Sequence, residues 1–122
     1  MPQLAITALL YAGYAATTSA GLLVVKYWLP AARRAWRNGD VLSAPFAAVG
    51  AGAVLYAFSF GLWLLIVERL PLSIAFPTAI GLSMVAITVG SALVLGESVG
   101  VAQVAGMALI LAGIALVARA GA

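Results

Sequence analysis

The chain is predicted to be an all-α membrane protein with four transmembrane helices in a short-loop antiparallel bundle. Three observations predict this. Hydrophobic residues make up 66% of the 122 positions. Charged residues make up 7%, where a soluble domain carries about 25%, so a water-facing surface has nothing to cover it. The charges also cluster, leaving uncharged runs at 1–25, 41–67, 70–96 and 98–118. Each run exceeds the roughly 20 residues a helix needs to cross the hydrocarbon layer. The runs do not alternate in polarity as the short strands of a membrane barrel do. Helix satisfies every backbone group without water. The expected spans are near 4–26, 43–67, 72–95 and 99–118, within a single domain, 1–122.

The chain has no Cys and no His, which removes disulfides, thiolate chemistry, imidazole bases and the common zinc ligands. Three carboxylates leave little for a hydrolytic enzyme, and no nucleophile–base pair can be assembled. No catalytic residue, metal site or cofactor is expected.

The first span follows Met1-Pro2-Gln3, which supplies no Lys or Arg side chain. A cleaved signal peptide needs a basic stretch there, so a retained helix is expected. This span is the most polar. Tyr11, Tyr14 and Thr18 share one face at i, i+3 and i+7, and Ser19 and Lys26 lie on a neighbouring face. Such hydroxyls, closed by an ammonium, suit a polar or anionic headgroup. Two plainer readings stand beside this one. Ser and Thr in such helices usually bond back to a carbonyl one turn earlier, and Lys near a helix end usually snorkels to the interface.

The link from Tyr27 to Leu42 carries Trp28, Pro30, Arg33, Arg34, Trp36, Arg37 and Gly39. Pro30 suits a helix first turn and Gly39 a helix end, so a short interfacial helix is expected, with Trp at headgroup depth. Lying between two spans, this basic aromatic stretch points to membrane lipid and not to nucleic acid. The second span stops at Glu68-Arg69. In the third, Pro77 removes the hydrogen bond to residue 73 and crowds its carbonyl, so a bend or a broken first turn is expected. Glu97 stands alone before the fourth span, where a carboxylate meets the positive end of a helix dipole. In the fourth span Gly106 and Gly113 share a face that Ala102 and Ala105 widen. Small residues allow close helix approach, either at an oligomer interface or in ordinary packing.

Lys and Arg set orientation. The first link carries Lys26, Arg33, Arg34 and Arg37, and the opposite side Arg69 and Arg119. This bias places the link between helices 1 and 2 in the cytoplasm. No carboxylate lies in mid-span, which argues against proton coupling through a buried acid.

Taken in order, these features resemble the drug/metabolite transporter superfamily. The stretch Leu70-Pro71-Leu72-Ser73-Ile74-Ala75-Phe76-Pro77, then Leu95-Gly96-Glu97, then Gly106 through Gly113 looks like the second half of its basic repeat, as in EamA-type members. Four helices in about 120 residues is the size of the small multidrug resistance branch and of the paired aminoarabinose-lipid flippase subunits. Gly21 and Lys26 match the first branch, but Thr18 stands where it has a cation-binding glutamate. Its helix 3 aromatic pair is also incomplete, with Phe76 at the first position and Ala79 at the second. Ala75-Phe76-Pro77 is similar to the Ala-Tyr-Pro of the flippase subunits, which also lack the glutamate.

The resemblance implies an inner-membrane transporter or flippase subunit, not an enzyme, moving a small molecule or a lipid-linked sugar by alternating access. Four helices form half of a usual cavity, so a homodimer, or a heterodimer with a second four-helix chain, is expected. Family members dimerise through helix 4, which points to Ala102, Gly106 and Gly113. The expected cargo path comprises Tyr11, Tyr14, Thr18, Ser19, Lys26, Phe76 and Pro77. A small multidrug resistance-type exporter without its glutamate, and an intramembrane interaction protein that transports nothing, are the alternatives.

Overall fold

The computed structural model describes residues 2–120; Met1, Gly121 and Ala122, the ends of the expected domain, lie outside them. It contains four helices: α1 (Pro2–Arg37), α2 (Ala44–Arg69), α3 (Leu72–Val94) and α4 (Val101–Ala120). All four are long and apolar enough to cross a membrane.

Helix α1 departs from expectation. No separate interfacial helix starts at Pro30; α1 runs through it to Arg37. At 1.5 Å per residue, its 36 residues reach about 54 Å, well beyond about 30 Å of hydrocarbon. Pro30 removes one bond, to the Lys26 carbonyl, at a depth where water can replace it. The helix ends at Gly39, whose φ of +73° lies in the left-handed region that glycine adopts freely. The Asp40 N–H donates to Ala35 (2.8 Å) and the Gly39 N–H to Trp36 (3.1 Å), the paired bonds of a Schellman stop.

Helix α3 is likewise unbroken at its start. The N–H groups of Ile74 and Ala75 both donate to the Pro71 carbonyl (3.0 and 2.9 Å), so Pro77 has not broken the first turn. The bond it removes would reach back only to Ser73, in that turn, so the cost is one hydrogen bond.

Packing is uneven. Helix α1 is the hub, set mainly against α2 and also against α3, while α4 touches only α3. Glycines mark the close approaches. A Cβ on Gly21 would fall 2.8 Å from the Gly52 carbonyl oxygen, and one on Gly90 would strike Leu23. The Ile114 side chain of α4 occupies the space beside Gly81 of α3. A small core of Tyr11, Ile66, Ala75 and Ala79 joins α1, α2 and α3 at one end. No residue of α4 is buried.

Candidate functional site

The expected path residues fall into two groups. Tyr11, Tyr14, Phe76 and Pro77 gather around the core end. Tyr11 is buried in the core and Tyr14 packs against it. The Tyr14 ring lies 5.7 Å from that of Trp63, and Trp63 meets Phe76 edge to face at 6.0 Å. Trp63, on α2, was absent from the expected set. Ala79, at the expected position of the second ring, is packed inside the core, and the ring that meets Phe76 is that of Trp63. Phe76 keeps half its surface exposed and, with Leu72, Ser73 and Pro77, lines an outward groove.

Thr18 and Ser19 lie further along α1, and each is only 5% exposed. Neither hydroxyl has a hydrogen-bond partner among the described residues. Other hydroxyls in the spans do bond back as helical Ser and Thr usually do. Thr17 donates to the Gly13 carbonyl at 2.8 Å, Thr78 to Ile74 at 2.8 Å, and Ser59 to Tyr56. Thr17 and Thr18 are neighbours of identical chemistry, so the difference is one of helix face. Ser83, on α3, is a further buried and unbonded hydroxyl.

Lys26 does not close this group. It lies eight residues beyond Thr18, about 12 Å along α1. Its ammonium neither snorkels alone nor faces the hydroxyls but pairs with the Glu97 carboxylate. The expected role of Glu97 at the start of α4 is therefore corrected: α4 begins at Val101, four residues later. Gly96, with φ of +68°, turns the chain so that the Glu97 N–H donates back to the Ser91 carbonyl (3.2 Å) and the side chain reaches α1. The sequence did hold a signal for this pair: Lys26 ends the first uncharged run and Glu97 ends the third, so both sit at the same end if the chain crosses at every run.

The candidate interface residues Ala102, Gly106 and Gly113 are on α4, and a Cβ on either glycine would meet open space.

No family model matches the chain, and no solved structure shows a significant match. Among curated proteins it is similar to the probable 4-amino-4-deoxy-L-arabinose-phosphoundecaprenol flippase subunit ArnF of Shewanella sediminis. The two are 41% identical over 90 residues, which cover 67% of this chain and 61% of the relative. The chain thus spans less than two thirds of that relative's length. The resemblance to aminoarabinose-lipid flippase subunits, read from Ala75-Phe76-Pro77 and the absence of the helix 1 glutamate, thus extends to aligned sequence.

Proposed function

We propose that the chain is one subunit of a membrane transporter that moves a lipid-linked sugar across the inner membrane by alternating access. The observation that carries this reading is the pair of buried, unbonded hydroxyls on Thr18 and Ser19, which lie further along α1 from the rings of Tyr14, Trp63 and Phe76. A hydroxyl buried away from water without a partner is costly, and the cost is the greater at membrane depth. A polar cargo passing between helices supplies that partner, and aromatic faces suit the apolar faces of a sugar ring. The flippase relative supports the same class of cargo.

An antiparallel α1–α2 pair is part of this proposal, supported by Gly13 against Leu62, Gly21 against Gly52 and Trp36 against Phe46. So is a second chain, identical or not. The α4 face of Ala102, Gly106 and Gly113 is the surface on which it would pack, and the relative is itself named a subunit. The basic end of α1 is proposed to lie in the cytoplasm. Drug–proton exchange is disfavoured because Thr18 stands where a carboxylate is required.

The test is transport of a fluorescent lipid-linked sugar in proteoliposomes holding this chain, alone and with a candidate second four-helix chain. Transport that falls at least about tenfold in Thr18→Val and Ser19→Ala fits the reading. Wild-type transport in both variants removes the proposed lining.

A further inference from the structure

The far end of α1 carries a cleft that the path above does not use. It has a volume of about 420 Å³ and is lined by Lys26, Leu29, Pro30, Arg33 and Arg37. Arg33 and Arg37 follow Lys26 by seven and eleven residues, which places each within about 20° of Lys26, on either side of it, and about 40° from the other around the helix axis. Three cations thus stand in file on one face, over about 16 Å of rise. Leu29 and Pro30 give the same cleft an apolar wall.

Two plainer roles account for part of this. Arg34 and Arg37, in the last turn, complement the helix dipole, and any cytoplasmic basic residue aids orientation. Neither role needs Arg33 and Arg37 in register with Lys26, and neither needs a cleft. Among the described residues Arg33 and Arg37 have no carboxylate within ion-pair distance, and Lys26 has Glu97 alone. Three like charges in file, two of them without counterions, form a site for an anion. Arginine favours phosphate because its planar fork matches phosphate oxygens. The site follows directly on a span read as ending near Lys26, and it combines an apolar wall with cations, which is the chemistry of a lipid phosphate.

We infer that Lys26, Arg33 and Arg37 bind the phosphate of a membrane lipid, and that the Glu97 carboxylate occupies Lys26 until the phosphate displaces it. Both partners of the Lys26–Glu97 pair are substantially exposed, at 67% and 41% of their side-chain surface, so the pair is weak and easily exchanged. Glu97 hangs from a glycine turn outside any helix, so it can leave Lys26 without moving a span. The inference requires the chain to sit in a membrane but not to transport, so it stands or falls separately from the flippase reading.

The test is equilibrium binding to the purified full chain in neutral detergent micelles, with three probes: farnesyl phosphate, farnesol and phosphatidylglycerol. Farnesyl phosphate is expected to bind at least about tenfold more tightly than farnesol. That preference should shrink by about tenfold in Lys26→Ala and in Arg33→Gln with Arg37→Gln, and should weaken with added salt. Glu97→Gln, which removes the competitor, should tighten binding about three- to tenfold. These exposed positions leave the core intact, and circular dichroism verifies helix content in each variant. Binding of farnesyl phosphate over phosphatidylglycerol assigns the site to a prenyl-type lipid phosphate; equal binding of the two assigns it to bulk anionic lipid. Equal affinity for farnesyl phosphate and farnesol, or an unchanged preference in the cation variants, overturns the site. Unchanged affinity in Glu97→Gln overturns the displacement.

Discussion

Gly21 of α1 and Gly52 of α2 meet backbone to backbone: a Cβ on either would lie within 3.0 Å of the other's carbonyl oxygen. At Gly21 the obstructing atoms are all backbone, namely the Gly52 carbonyl oxygen and the Tyr56 N and Cα, so no side chain can swing aside. Close approach of this kind substitutes for the hydrophobic drive that lipid removes. Gly21→Ala is therefore expected to destabilise the chain by about 1–3 kcal/mol, as overpacking does. Gly50→Ala, where a Cβ meets nothing, should be neutral or slightly stabilising. Unfolding by detergent titration, followed by circular dichroism, compares them.

Thr18→Val separates structural from functional hydroxyls. The Thr18 hydroxyl has no partner to lose, and an apolar replacement of the same shape is then neutral or stabilising, by up to about 1 kcal/mol. Transport should nevertheless fall. A variant that loses stability as well would mean that the hydroxyl is held by the protein itself.

Trp63 bridges α1 and α3 through Tyr14 and Phe76. Trp63→Ala should lose about 2 kcal/mol, below the usual 3–5 for a fully buried Trp because this one is half-buried. Trp63→Phe should recover most of that stability. Thermal denaturation in detergent reads both, and transport in the Phe variant reports whether the indole itself meets cargo.

Gly106→Leu and Gly113→Leu are expected to leave the single chain as stable as before, because α4 meets open space at both positions. Association between chains, read by cross-linking in membranes, should be lost. Cross-linking at the wild-type level in both variants would remove this face from the proposed interface.

The helices were legible because the charges divide the chain into four long apolar runs, although Lys26 lies well inside α1. Their interiors were less so. Pro30 suits a helix first turn as well as an interfacial helix interior, and only the neighbouring backbone decides between them. Trp63 was missed because the resemblance was loosest in α2 and the expected second ring belongs to α3. The unbonded state of Thr18, next to a bonded Thr17, depends on helix rotation, which a run of apolar and small residues does not specify. Lys26 and Glu97 were read separately, each by the rule for its own helix end, and their pairing is a property of topology.

The attachment of α4 to α3 alone has a consequence for biogenesis. The first three helices bury against one another without it, so they can consolidate in the bilayer before residues 101–120 have emerged. The last helix then arrives at a finished scaffold, held against α3 by residues such as Ile114 and Leu111 beside Gly81, with no residue of its own buried. If a second chain packs on α4 as proposed, that pairing would follow the packing of the first three helices and would respond to whichever chains share the membrane at that time. Expression level and timing, more than the stability of the isolated chain, would then set which assembly forms.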